Sequence, residues 1–276
     1  MRYRPVLPLS AFVLSLALVA GCSQDGPSVP KSDAGGVASG TPASAGGPVS
    51  LDDVIETTPL YIVGISYPEV ASKYPQLGRA LHAYAEGARA DLMEAVNGLG
   101  TRKPTAPYDL SLQFTGLVET PRIVAVAADG STYTGGAHGN PLVQRFVWLP
   151  GEGRLLASDA LLPDPAGWTI ISDYVREALM TDLVRQLDQD ELEAGERAQA
   201  LQTGARMIDA GTQPVAANFS RFEPVMNADG AIRALRFVFP PYQVAPYSEG
   251  TRTVDVPASL LLPLVAPEYK ALFRAG

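Results

Sequence analysis

Apolar residues recur at steps of three and four in two long segments of the chain, which is the spacing of one buried helix face. The first segment predicts a helix that begins near Leu77 and ends at Gly98 and Gly100. The second predicts a helix from about Ala166 to Leu187, and the charged, Ala-rich residues 188–205 predict a surface helix after it. The two apolar stripes are Leu77, Leu81, Tyr84, Ala88, Leu92, Val96 and Leu99, and Trp168, Ile171, Val175, Leu179, Leu183 and Leu187.

A period of two, which is typical of a half-buried strand, is clearest in residues 108–115. Apolar and polar side chains alternate there without a break, in the order Tyr108, Asp109, Leu110, Ser111, Leu112, Gln113, Phe114 and Thr115. Further apolar runs predict strands at residues 60–67, 122–127, 143–149, 231–245 and 254–256, with another after a turn at 151–153. Because strands and helices do not alternate regularly, we predict an α+β fold with a mixed or antiparallel sheet packed by two main helices.

The N-terminal segment has the composition of a secretory signal peptide. A basic start with Arg2 and Arg4 precedes an apolar run that ends at Ala20, and this run is shorter than the ~20 residues that a membrane-spanning helix needs. Gly21 then leads into Cys22, the only cysteine of the chain. This arrangement resembles the bacterial lipobox, in which the thiol is acylated and becomes the mature N-terminus. An ordinary signal peptide that happens to end in a cysteine is the alternative.

Composition then divides the chain into three parts. Residues 1–21 are predicted to be a lipoprotein signal peptide, residues 22–50 a lipidated Cys22 with a flexible Gly-, Ser-, Ala- and Pro-rich linker, and residues 51–276 an α+β domain, which can be divided into 51–130 and 131–276. A single cysteine excludes an intramolecular disulfide, so a packed core must stabilise the domain. The formal net charge of −8 argues against nucleic acid as a partner.

Residues 133–140 form the first segment that could carry chemistry. Adjacent Gly135 and Gly136 allow the backbone conformations of a tight loop, and His138 places a titratable ring beside them. One interpretation makes His138 a general base or a metal ligand; the other makes it a strand cap that bonds to backbone. His82, in the first predicted helix, is the only other histidine, and no motif for a metal or cofactor is present. We therefore predict no catalytic residue, no metal and no cofactor.

Residues 240–250 form the second segment. Tyr242 and Tyr247 lie among three prolines, which predicts a rigid turn with amphipathic rings at its rim. Such rings suit binding to a protein or a glycan, because a rigid aromatic side chain loses little entropy on contact. The alternative is packing, with Tyr242 closing the edge of a sheet.

Taken together and in this order, the two segments resemble a known family. Residues 133–140 are similar to its Y-x-G-G-A-H signature, and residues 239–250 to its Y-x-V-A-P-Y-x-x-G signature. These signatures mark the extracellular domain of unknown function in RsiV-type anti-sigma factors and PdaC-type peptidoglycan deacetylases, over about residues 59–262 here. The resemblance implies an α+β domain, which in the RsiV type binds lysozyme. It implies neither sigma-factor regulation nor deacetylation here, because no cytoplasmic segment precedes the signal peptide and 276 residues leave no room for a catalytic domain.

These observations predict a lipid-anchored cell-envelope protein with a non-catalytic binding or sensor-like domain for a lysozyme-like protein or a peptidoglycan-related ligand. A cell-wall hydrolase that uses His138 and a structural envelope lipoprotein are the alternatives. The anchor on Cys22 makes the membrane a partner, and Ser23 and Gln24 lack an aspartate retention signal, which predicts the outer membrane, facing the periplasm. The predicted binding surface consists of Tyr133, Gly135, Gly136, His138, Asn140, Tyr242 and Tyr247.

Overall fold

The computed structural model describes residues 49–275, which contain two β-sheets. The first sheet has six strands, in the order β1-β2-β3-β4-β5-β6. They are β1 (Val54–Thr57), β2 (Tyr61–Ser66), β3 (Tyr108–Glu119), β4 (Val124–Tyr133), β5 (Asn140–Leu149) and β6 (Arg154–Leu155). Only β2 and β3 pair in parallel, so the sheet is mixed. Parallel neighbours need a crossover connection, and two helices between β2 and β3 supply it.

Those two helices are α1 (Glu69–Lys73) and α2 (Pro75–Asn97). The predicted stripe of α2 is buried against one face of the six-stranded sheet, where it meets Leu110, Leu112 and Phe114 of β3. The alternate residues Ser111, Gln113 and Thr115 are exposed on the opposite face. The period of two therefore predicted correctly which face of β3 is exposed to solvent.

The second sheet contains three antiparallel strands, β7 (Phe222–Met226), β8 (Ile232–Phe239) and β9 (Arg252–Pro257). Helix α4 (Pro165–Gln189) packs its predicted apolar face into the same core as this sheet, together with the short helices α3 (Ser158–Leu161) and α6 (Ala258–Leu261). Helix α5 (Ala194–Gly211) lies against α4 with most of its surface exposed. The α+β class is confirmed, with two sheets in place of the single sheet that the sequence suggested.

The structure differs from the sequence-based prediction at several boundaries, and two short strands were not predicted. The strand predicted at residues 231–245 ends at Phe239, because Pro240 and Pro241 cannot continue a ladder of hydrogen bonds. The surface helix begins at Ala194 and not at residue 188, since carboxylates such as Asp188 and Asp190 disfavour the C-terminus of α4 and the chain leaves the helix there. Strands β1 and β7 were missed because they are only four and five residues long.

Charged side chains join the two sheets beneath the exposed surface. The Arg145 guanidinium in β5 donates to the Glu223 carboxylate in β7 (2.7 Å) and to Asp129 in β4 (3.0 Å). Both Arg145 and Glu223 are largely buried, with side-chain exposures of 10% and 14%. Next to this pair Arg221 donates to the carbonyl of Val143, and burial lowers the pKa of Arg221. We call Arg145, Glu223 and Asp129 the inter-sheet ion cluster.

Tyr67 gives the fold a pH dependence that can be measured. Its ring stacks on Phe114, with centroids 5.0 Å apart, and burial, assisted by the charge of Glu86, raises the pKa of Tyr67 to about 12. Folding therefore favours the neutral phenol, and the stability gained is complete below pH ~10 and lost as the pH rises through ~12. We expect the free energy of unfolding, from denaturant titrations, to fall over this range, and to fall less in Tyr67→Phe. An identical fall in the variant would contradict this.

Candidate functional site

The loop between β4 and β5 is shaped by its two glycines. Gly135 and Gly136 have φ values of 98° and 103°, which side chains with a Cβ rarely adopt. At the loop entrance, the Tyr133 hydroxyl donates to the carbonyl of Gly136 (3.3 Å). This conformation presents the following residues, including His138, to solvent.

His138 contacts both tyrosines of the second segment, which lies 104 residues further along the chain. Its Nε2 is 2.8 Å from the Tyr242 hydroxyl, and its ring stacks on Tyr247 with centroids 4.0 Å apart and planes inclined by 16°. The rings of Tyr242 and Tyr247 are themselves 5.6 Å apart. The structure thus brings the two segments together, as the sequence predicted. We call His138, Tyr242 and Tyr247 the aromatic cluster.

The surroundings of His138 define its neutral tautomer. Its Nδ1 lies 3.0 Å from the carbonyl oxygen of Gly139, which can only accept a hydrogen bond, so Nδ1 carries the proton. In the neutral ring Nε2 is then the acceptor, and the Tyr242 hydroxyl donates to it. Both ring nitrogens therefore have partners within the protein, and neither partner is a carboxylate.

The aromatic cluster is accessible to a ligand. Tyr242 has 54% of its surface exposed, the largest exposure of a Phe, Tyr or Trp residue within residues 49–275, and His138 is also exposed. Tyr247 is half-buried beneath them. The alternative in which Tyr242 closes a sheet edge does not describe this arrangement, because a packed plug would be covered.

The backbone of Tyr242 is strained. Its φ of +72° is the only left-handed value among the non-glycine residues described, and such a conformation costs about 1–3 kcal/mol for a bulky side chain. The turn is closed by two backbone hydrogen bonds, from Tyr242 N–H to Ala245 and from Gln243 N–H to Pro240. Strained residues of this kind concentrate at functional sites, since packing must hold them in place.

Gln243 and Gly211 hold this turn from behind. The Gln243 side-chain amide donates to the carbonyls of Gly211 (3.0 Å) and Asn218 (2.9 Å). At Gly211, the last residue of α5, an added Cβ would lie 2.0 Å from the Gln243 carbonyl oxygen, so only glycine permits this approach. Sequence reasoning missed both residues; a glycine at the end of an Ala-rich helix was the one available signal.

The remaining predicted positions lie at the margins of the aromatic cluster. Asn140 begins β5, where it is exposed and its side chain makes no hydrogen bond to another described residue. His82 lies half-buried on α2, and Cys22 falls outside the described residues. Between residues 49 and 275, no three His, Cys, Asp or Glu side chains are grouped so as to hold a metal ion, and no helix is long and apolar enough to cross a membrane. The cluster offers stacking surfaces and hydroxyl groups at an exposed edge.

Family models match two adjacent regions of the chain. Residues 55–141 match the model described as Deacetylase PdaC, and residues 159–259 match the model described as Protein of unknown function (DUF3298). The first region contains His138 and the second contains Tyr242 and Tyr247, so the aromatic cluster is built from both. No curated protein matches the sequence.

A solved structure shares this fold, and a second one was also matched. A DUF3298 family protein from Pseudomonas aeruginosa PAO1 superposes with a TM-score of 0.51 at 17% identity, over 83% of this chain and 99% of that chain. A member of the DUF3298 family from Bacteroides fragilis NCTC 9343 gives a TM-score of 0.44 at 17% identity, over 79% of this chain and 93% of that chain. The family matches confirm the resemblance inferred from the two signatures, and they fit a domain of the cell envelope. This chain therefore carries an α+β domain of the PdaC/DUF3298 type, whose function is unknown.

Proposed function

We propose that this protein is a lipid-anchored cell-envelope protein whose domain binds a ligand through the aromatic cluster without catalysing a reaction. The ligand is a lysozyme-like protein or a peptidoglycan fragment. The observation that carries the proposal is the contact of His138 with Tyr242 and Tyr247 on an exposed edge. If Tyr242 served only to pack against the rest of the domain, its side chain would be buried, and the strain of its backbone would have no function.

The sequence supports the anchor. Cys22 follows an apolar run of signal-peptide length, and the Gly- and Pro-rich residues after it suit a tether between the lipid and the domain. A lipid on Cys22 would hold the aromatic cluster within reach of cell-wall material and of proteins that act on it. We place the protein at the outer membrane, facing the periplasm.

The proposal is tested with the full-length protein in detergent and the variant Tyr242→Gly. We expect its affinity for lysozyme or for soluble peptidoglycan fragments, measured by isothermal titration calorimetry, to fall at least about tenfold, because exposed aromatic anchors dominate binding energies. The free energy of unfolding should stay within about 1 kcal/mol of the wild type, since glycine relieves the left-handed strain as the side chain is lost.

Ile170→Ala is the matched control. Ile170 lies on α4 with 45% of its surface exposed, comparable to Tyr242, but outside the two signature segments. The control should bind like the wild type. Equal affinities for wild type and Tyr242→Gly would contradict the proposed site.

The hydrolase alternative is distinguished by turnover. The absence of a carboxylate partner on His138 favours binding, because a general base is commonly oriented by such a group. If the wild type hydrolyses peptidoglycan and His138→Ala does not, the site is catalytic and the binding proposal is wrong. Comparing the reaction with and without a chelator would show whether a metal takes part.

A further inference from the structure

The six-stranded sheet has an uncovered face that reaches the entrance of the loop that carries His138. Residues that pair directly across neighbouring strands share a face of the sheet. One such row crosses four strands and ends at the entrance of the His138 loop; it consists of Thr57, Ile62, Asp109 and Tyr133. With strands about 4.8 Å apart, this row is about 14 Å long.

A second row runs beside the first and contains a gap. It consists of Ile55, Gly64, Ser111 and Ser131, and Ile55 is 85% exposed. At Gly64 an added Cβ would meet no atom within 4 Å, so the surface is depressed and unobstructed at this point. We call the two rows, with the adjacent Ser66 and Gln113, the open face.

Most polar side chains of the open face have no hydrogen-bonding partner among the described residues. The side chains of Thr57, Ser66, Asp109, Ser111, Gln113 and Ser131 make no hydrogen bond or ion pair to any residue within 49–275. Asp109 is half-buried without a cationic partner, and burial raises its pKa. The face therefore offers hydroxyl, amide and carboxylate groups whose partners must come from solvent or from a ligand.

The charge of this face distinguishes between classes of ligand. Asp129, in the neighbouring row, is already paired with Arg145, so Asp109 is the single uncompensated charge among the side chains of the open face. A cationic protein is selected by several carboxylates on one surface, and this surface has one. Neutral hydroxyl and amide groups match a chain of sugars, which presents hydroxyl groups along its length and apolar ring faces that can stack on tyrosine.

We infer that the open face binds a linear, uncharged glycan chain, which lies in the depression at Gly64. Asp109 accepts hydrogen bonds from the hydroxyl or amide groups of the glycan, and the end of the glycan stacks on the aromatic cluster. This inference rests on the proposed function and names the class of ligand. The apolar Ile55 lies on the edge strand β1 and Ile62 on the neighbouring strand β2, where they contact the less polar parts of the glycan.

The test uses an uncharged N-acetylglucosamine hexamer as the probe and two matched substitutions. Gly64→Gln fills the depression, where a Cβ meets no atom within 4 Å. Gly87→Gln places the same side chain on the exposed surface of α2, where a Cβ also meets nothing within 4 Å. We expect calorimetry on the full-length protein to show affinity reduced about tenfold or more by Gly64→Gln and by Asp109→Ala, and unchanged in Gly87→Gln.

Each other outcome separates this inference from the proposed function. If Tyr242→Gly weakens hexamer binding while Gly64→Gln and Asp109→Ala do not, the aromatic site stands and the open face is not part of it. If the wild type binds lysozyme but not the hexamer, the binding function stands and the glycan is the wrong class of ligand. If the wild type binds neither lysozyme, nor the hexamer, nor soluble peptidoglycan fragments, both the inference and the proposed function are overturned.

Discussion

Replacing Cys22 with serine is expected to transfer the protein from the membrane fraction to the soluble fraction. Acyl chains on the thiol would each contribute ~0.8 kcal/mol per buried methylene, and two or more chains hold a protein almost irreversibly. The effect should therefore be nearly complete, as measured by fractionation and by incorporation of labelled palmitate.

Ser23→Ala, which retains the cysteine, is the matched control for this experiment. It should remain in the membrane fraction and incorporate the label as the wild type does, and the wild type should sediment with outer-membrane markers. A serine variant that stays as firmly membrane-bound as the wild type would show that the lipobox interpretation is wrong.

The second large effect is expected within the inter-sheet ion cluster. Arg145→Met should lower the free energy of unfolding by about 3 kcal/mol, because it leaves Glu223 buried with its remaining cation, Arg236, at 3.7 Å. Methionine keeps most of the side-chain volume, so the loss is electrostatic and not a cavity. Denaturant titration followed by circular dichroism measures the change.

Arg185→Met makes the same substitution in an exposed ion pair. Arg185 pairs with Asp182 on α4, where their side chains are 63% and 49% exposed, and such pairs contribute less than about 0.5 kcal/mol. Near-equal losses in the two variants would show that the inter-sheet ion cluster does not hold the sheets together. A large loss of unfolding free energy in Arg145→Met alone would show that the inter-sheet ion cluster stabilises the contact between the two sheets.

The sequence alone determined the elements whose pattern is local. The apolar stripe of α2 and the alternation in β3 depend only on neighbouring residues, and both were placed on the correct face. The glycine pair at 135–136 indicated a tight loop in the same way, and both glycines have positive φ values in the structure. The juxtaposition of the two signature segments was also predicted, but from their loop-like composition, rich in Gly or Pro and with aromatic hydroxyls, and not from any periodicity.

For the other distant groups, only the tertiary structure decided which of them meet. The contact of Gly211 with Gln243 joins residues 32 positions apart, and no local period encodes it. The open face likewise depends on which strands are neighbours: Thr57, Ile62, Asp109 and Tyr133 form one row only because β1 to β4 pair in that order and register. Periodicity determines the direction in which a side chain points from its own helix or strand. The groups that this side chain meets are determined by how the elements pack against one another, and the periodicity of one element carries no information about that packing.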